Sequence, residues 1–362
     1  MRLAFVGLGK LGLPTAEVLA TAHEVSGYDI APRSSSTVHI AATLAEALHN
    51  AEAVMVCIQT PHAPAYEGIT PAPDDPADFD YFYLRAALVD ITTLAPPTLP
   101  VIIISTVLPG TSVRLLEPLV NGPYIYEPLF AAMGTVTEDL RHPEFTIAGV
   151  RYTADAEIIS RIWKPINDAP IIPVTVESAE LAKVAYNCWV SAKVVLANSI
   201  GEIATAVGAD PCEVDDVLTK AIDRIASPAY MRHGMADGGE CHPRDVIAMS
   251  YLSQNIGLTH DPFSYVVRAR EAHMQRLAIR VARLAAIHDL PIIIVGRSYK
   301  PGVDIDTGSS SLLLAHYLLE VGPEPRWLPT ADTPGTKPAI YVLAHPVTWP
   351  IPEGSVVVDP WR

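Results

Sequence analysis

The stretch RLAFVGLGKLGLPTAEVLATAHEVSGYDI, residues 2–30, limits the fold more than any other part of the chain. It reads as an apolar strand, a glycine turn, an amphipathic helix and a second strand ending at Asp29. Parallel strands joined in this way need a crossover helix and commit the chain to a sheet covered by helices. Gly7, Gly9 and Gly12 stand between strand and helix. There they allow the tight turn, admit a pyrophosphate close to the backbone and let helix and strand meet. Asp29 follows Gly12 by 17 residues, where a carboxylate binds a ribose diol and repels a 2′-phosphate, so the pattern favours NAD over NADP. Arg33, just past the acid, keeps a phosphate-binding reading open.

The runs at 52–61 and 100–110 are nearly all apolar, as parallel strands buried on both faces are. Residues 1–175 are therefore expected to form an N-terminal nucleotide-binding domain. Its proline-rich stretch 61–80 should be a surface loop leading into a helix from about Tyr81. From Glu177 more than thirty residues run without proline. Such a helix is too apolar for a solvated rod, and it reads as a spine in a central helical region, 176–285, that packs against a second subunit. A smaller α/β segment, 286–362, follows, with a helix near Ser310 to Val321 and strands at 339–344 and 355–360. The proline-rich link 323–338 stands where a further strand and helix would be expected. The expected fold class is α/β, with two Rossmann-like doubly wound domains joined by a long central helix and a reduced C-terminal domain.

Composition narrows the setting. With 49% of its 362 residues apolar and 18% charged, the chain can bury a large core. Its formal charge of −15 disfavours nucleic acid and anionic membranes as partners. No unbroken apolar run approaches the roughly 18 residues of a spanning helix and no signal peptide is legible, so a cytoplasmic location is expected. Cys57, Cys188, Cys212 and Cys241 lie far apart without a C-x-x-C pair, which indicates neither a disulfide framework nor a metal site.

Six segments in this order, GLGKLGLP, CIQTP, STVLPGT, ESAELAKVAYN, DRIASPAYMRHGMADGGECHPRD and GRSYKPGVD, resemble the UDP-glucose/GDP-mannose dehydrogenase family over nearly the whole chain. The resemblance implies oxidation of the C6 alcohol of a nucleotide sugar to a carboxylate with two NAD⁺, through a cysteine thiohemiacetal and thioester, in a homodimer. It makes Cys241 the nucleophile. That chemistry suits the residue, because a thiol traps the aldehyde and presents a second C–H for hydride loss. The helix expected from Pro243 would lower the thiol pKa. A packed cysteine after a turn is the plain alternative.

Lys183 and Asn187, four apart on one helix, share a face. By resemblance Lys183 stabilises negative charge on the substrate oxygen and Asn187 orders water, while Asp245 and Thr106 hold the catalytic water. Also by resemblance, Lys10, Leu11, Thr60, Ser105 and Thr106 join the three glycines and Asp29 around the cofactor. Glu127, Leu129, Phe130, Tyr230, Gly238, Arg244, Lys300 and, from a partner subunit, Arg224 join Lys183 and Asn187 around the substrate. Aligned on Pro128, Phe130 and Gly134, the usual thioester-hydrolysing glutamate is Leu129 and a second acid is Met133. Glu127 would take over only through a two-residue shift. Thr307 and Gly308 stand where arginine and glutamate are common. These departures open two further readings: an NAD enzyme with impaired thioester hydrolysis, which stops at an aldehyde, transfers the acyl group or runs a redox-neutral step, and a non-catalytic nucleotide-binding protein.

Overall fold

The computed structural model describes residues 1–61, 63, 77–132, 134–227, 234–239, 242–301, 305–328, 335–346 and 348–361, with the side chains of Val194, Arg244, Asp245, Ala248 and Tyr251 outside that description. The chain divides into two compact units, Met1–Ser191 and Ala192–Arg362.

In the first unit the elements run β1 (Arg2–Val6), α1 (Gly12–Leu19), β2 (Glu24–Tyr28), β3 (His39–Ile40), α2 (Leu44–Leu48), β4 (Ala53–Val56), α3 (Phe82–Leu94), β5 (Val101–Ile103), β6 (Tyr124–Tyr126), α4 (Val136–Arg141), β7 (Thr146–Val150), α5 (Ala156–Trp163) and β8 (Ile171–Val174). Helix α6 (Val176–Val207) begins in this unit and continues into the second. The sheet order is β3-β2-β1-β4-β5-β6-β7-β8. All neighbours are parallel except β6 and β7. The order reverses between β1 and β4, and in open α/β sheets ligands bind beyond the strand ends at such a point.

Strand residues alternate between two cores, as the two-residue period demands. Leu3, Phe5, Met55, Ile102 and Ile125 face α1 and α5. Ala4, Val6, Val54, Val56, Val101 and Ile103 face α3. Burial on both sides explains why these strands are read as apolar runs without alternation.

In the second unit follow α7 (Pro211–Thr219), α8 (His242–Asn255), α9 (Pro262–His288), β9 (Ile292–Val295), α10 (Ser310–Val321), β10 (Arg326–Leu328), β11 (Ile340–Leu343) and β12 (Val356–Val358). Local chemistry sets the helix starts: Asp210 accepts from the Cys212 amide ahead of Pro211, and Asp261 accepts from Phe263 and Ser264 ahead of Pro262. Capping acids followed by proline at the first helical position are strong start signals. The parallel sheet β10-β9-β11-β12 packs Ile292, Ile294, Ile340 and Val342 on α9 and α10.

Strand β10 corrects the sequence reading. It lies inside the proline-rich link 323–338 and pairs Arg326 to Leu328 with Ile293 to Val295. A three-residue edge strand tolerates prolines on either side because its outer edge needs no ladder donors. Helix α6, 32 residues and so about 48 Å long, leaves Leu181, Trp189, Val190 and Val195 exposed. The sequence reads this helix as packing against a second subunit. By length and composition it is also apolar enough to cross a membrane.

Candidate active site

At the reversal point, β1 ends in the glycine turn. Gly7 has φ +95°, and a Cβ there would lie 2.4 Å from the Cys57 carbonyl oxygen. At Gly12 a Cβ would stand 1.9 Å from the Gly7 carbonyl oxygen. The turn is therefore closed to side chains on its inner side. Gly9 differs, with no described atom within 4 Å of its Cβ position. No described side chain caps α1, and its first turn carries no acid, so no side chain competes with an anion for the positive end of its dipole. Asp29 is fixed at the end of β2: one carboxylate oxygen accepts from the Leu8 amide at 2.7 Å, the other from Ala31 at 2.8 Å. Arg33 stands 3.5 Å from the same carboxylate, an i,i+4 ion pair. These residues fit a dinucleotide, with the pyrophosphate over Gly9 and α1.

The expected polar contacts next to this turn are partly committed elsewhere. The Ser105 hydroxyl donates to the Ile58 carbonyl at 2.6 Å and accepts from the Ile58 amide at 2.9 Å. Thr60 donates its hydroxyl to the Thr106 carbonyl at 2.7 Å. Both side chains hold the ends of β4 and β5 together and shape the cleft rather than reach into it. Lys10 is exposed and Leu11 half-buried. Burial pushes the Cys57 thiol up to about 12, far from the range of a nucleophile at neutral pH.

A second cavity, about 720 Å³, is lined by Leu129, Phe130, Trp163, Lys183, Tyr186 and Asn187, among others. Lys183 Nζ donates to the Leu129 carbonyl at 2.7 Å and lies 5.0 Å from the centroid of the Phe130 ring. Burial lowers its pKa from the ordinary lysine value, because desolvation disfavours the charged form. Phe130 meets Phe145 and Tyr186 edge-on, with centroids 5.0 and 5.1 Å apart. The arrangement offers one cation and one amide on an aromatic wall. It can hold a hydroxyl or developing alkoxide at the ammonium while an apolar sugar face rests on the rings.

Glu127 departs from its expected place at the substrate. Its amide extends the β6 ladder to the Ile103 carbonyl at 2.9 Å. It therefore points to the same side as Ile125, away from Tyr126, by strand alternation. There it is fully buried, accepts from the Trp163 indole and leaves Oε2 without a partner among the described residues. No two-residue shift occurs, and the cavity is walled by Trp163 instead. Burial pushes the Glu127 carboxyl up to about 8 from 4.5. Since the unfolded chain ionises first, stability is full below about pH 4.5, falls as pH rises and levels off above about 8. Glu127→Gln keeps the indole acceptor without this loss. In urea titrations at pH 5 and pH 8 the wild type should lose on the order of 3 kcal/mol more than the variant. An equal loss would show that another group titrates.

In the second unit, Arg270 donates to Asp237 at 2.7 Å, tying the 234–239 loop to α9. A Cβ at Gly308, φ +70°, would lie 2.1 Å from the Gly239 carbonyl oxygen, and Gly238 and Gly239 pack on Tyr299. This explains Gly308 where the resemblance leads one to expect glutamate: the glycine loop leaves no room for a side chain. Lys300 and Arg224 are exposed. Cys241, Tyr230 and Met133 lie outside the described residues, as do the side chains of Arg244 and Asp245, whose backbone belongs to α8. Sequence reasoning did not single out Trp163, Tyr186 or Phe145. Tyr186, three residues after Lys183 and so on the same helical face, carried the one readable signal.

Known proteins resemble this chain in sequence and in fold. Residues 177–272 match the model of the UDP-glucose/GDP-mannose dehydrogenase family, central domain. The GDP-mannose 6-dehydrogenase of Pseudomonas putida is 28% identical over 89% of this chain and 79% of its own length. The UDP-glucose 6-dehydrogenase of Rickettsia bellii is 24% identical over 76% of this chain and 63% of its own. Among solved structures, a ternary complex of GDP-mannose dehydrogenase from Pseudomonas aeruginosa superposes with a TM-score of 0.83 at 25% identity, covering 99% of this chain and 96% of that one. Central segment, full-length fold and ordered motifs all support membership of the UDP-glucose/GDP-mannose dehydrogenase family.

Proposed function

We propose that the protein oxidises the C6 alcohol of a nucleotide-linked hexose with NAD. The observation that carries this reading is Lys183, half-buried against the Leu129 carbonyl and the Phe130 ring beside Asn187. NAD supplies the hydride acceptor when bound, one equivalent for each two-electron step. Gly7, Gly9, Gly12 and the start of α1 would hold its pyrophosphate, and Asp29 its ribose. The Lys183 ammonium stabilises charge on the C6 oxygen as its proton leaves, and Asn187 orients that oxygen or water. The Cys241 thiol, assigned by its motif, adds to the C6 aldehyde, and loss of a second hydride from that adduct gives a thioester.

The fate of the thioester is where this chain departs from its relatives. The carboxylates that line the cavity, Asp139 and Glu144, lie outside the segment from Glu127 to Ala132, where Leu129 stands at the cavity wall and Glu127 turns to Trp163. This favours a second reading, in which hydrolysis is slow and the acyl-enzyme persists.

The test is NADH formation with GDP-mannose, UDP-glucose and related nucleotide sugars. Two equivalents per sugar are expected in a slow complete turnover, with a quenched enzyme carrying the hexuronyl group on Cys241 by mass spectrometry. Cys241→Ser should abolish carboxylate formation. A serine variant that makes the acid at the wild-type rate overturns the covalent route, and a single equivalent of NADH without adduct restricts the reaction to the aldehyde.

A further inference from the structure

The stripe of α6 that carries Lys183 and Asn187 begins one turn earlier with Glu180, a residue to which no motif assigns a role. Glu180 is fully buried. One of its carboxylate oxygens accepts from the Gly110 amide at 2.6 Å, the other from the Ser112 amide at 2.7 Å. A buried carboxylate is tolerated only when its oxygens are met by well-placed donors, so these two bonds fix the side chain in direction as well as depth. The amides lie at the start of the short helical turn Ser112–Leu116, in the segment that leaves β5 through Ser105 and Thr106. That segment is itself held in place: the Ser112 hydroxyl accepts from Tyr124 at 2.6 Å, and the Thr106 carbonyl accepts from Thr60.

Helix α6 is thus pinned at two heights. Glu180 joins it to the loop after β5, and Lys183, three residues on, joins it to Leu129 in the loop after β6. Strands β5 and β6 are neighbours in the sheet, so rotation or sliding of α6 would break one bond or the other. An aliphatic residue at 180 could pack in the same place but would fix neither the rotation nor the height of the helix.

We infer that Glu180 is a positioning residue: by clamping Gly110 and Ser112 it sets where Lys183 stands relative to Leu129 and the Thr106 segment. The catalytic consequence rests on the role of Lys183 proposed above, whereas its placement can be read without substrate.

The experiment uses the full chain with Glu180→Asp, which withdraws the carboxylate by one methylene, and Glu180→Gln, which keeps the length and loses one acceptor. Acetic anhydride labels Lys183 over a range of pH, and mass spectrometry follows its peptide with the exposed Lys220 as internal reference. Asp139, His142, Glu144 and Tyr186 line the same cavity as Lys183 and remain in place in both variants. In the wild type the midpoint for Lys183 lies below the ordinary lysine value, as its burial requires. In the aspartate variant, with circular dichroism unchanged, it should move up toward that ordinary value. With a nucleotide sugar and NAD, kcat should fall roughly tenfold to a hundredfold. If Glu180→Asp does not fold, the glutamine variant is read in the same way. A folded variant that melts earlier but keeps the wild-type Lys183 profile overturns the proposal and leaves Glu180 a stabilising clamp. A shifted profile in an enzyme inactive on every nucleotide sugar upholds the positioning role and rejects the reaction assigned to the site.

Discussion

Lys183→Met lowers kcat on a nucleotide sugar by roughly a thousandfold, the scale expected when one donor to a developing oxyanion is lost from a partly desolvated site. The size follows from the setting. The ammonium is half-buried, bonded to the Leu129 carbonyl at 2.7 Å and placed on the Phe130 ring, so no water replaces it at equal strength. Methionine fills the volume and keeps the helix, which separates lost charge from lost packing. The pH profile supplies a second measure. Since burial lowers the Lys183 pKa, wild-type kcat should decline on the alkaline side at a pH below that of an ordinary lysine, as the ammonium loses its proton. The methionine variant should lack that limb. Lys183→Arg does not rescue, because a planar fork cannot occupy the point-charge position beside the ring. Retention of more than about a third of kcat in Lys183→Met, an energetic change well under 1 kcal/mol, would remove Lys183 from the chemistry.

The glycine turn gives the second large effect, through a pair of variants with opposite expectations. Gly12→Ala puts a Cβ 1.9 Å from the Gly7 carbonyl oxygen and 3.2 Å from the Phe5 ring. The turn must open, and a cost of roughly 2–4 kcal/mol in stability is expected, with NAD affinity reduced at least tenfold. Gly9→Ala meets no described atom within 4 Å and should leave the melting temperature unchanged. Yet it stands where the pyrophosphate must approach the backbone, so NAD affinity in calorimetry should again fall, by about tenfold or more. A Gly9→Ala protein that binds NAD as tightly as wild type would place the dinucleotide elsewhere, whatever Gly12→Ala does.

The two variants also show which part of the site could be read in advance. Glycine spacing, Asp29 and the apolar runs name a doubly wound domain because each depends on neighbours within some thirty residues: strand, turn, helix, strand. The 32-residue α6 was legible for the same reason, as was the shared face of Lys183 and Asn187. The link 323–338 was misjudged because β10 is only three residues long and is held by β9, a partner local pattern does not reveal.

Sequence alone determined the parallel sheet, the dinucleotide turn, the long helix and the order of family motifs, because backbone periodicity and short-range spacing encode them. Tertiary structure decided where the carboxylates go. Glu127 and Glu180 look alike on paper, an acid beside a motif. One faces Trp163, 36 residues away, and is pushed toward neutrality. The other satisfies two amides 68 and 70 residues away. Whether a buried acid is pushed toward neutrality or serves as a hydrogen-bonded clamp depends on donors that folding brings to it, and no local pattern in the chain specifies them.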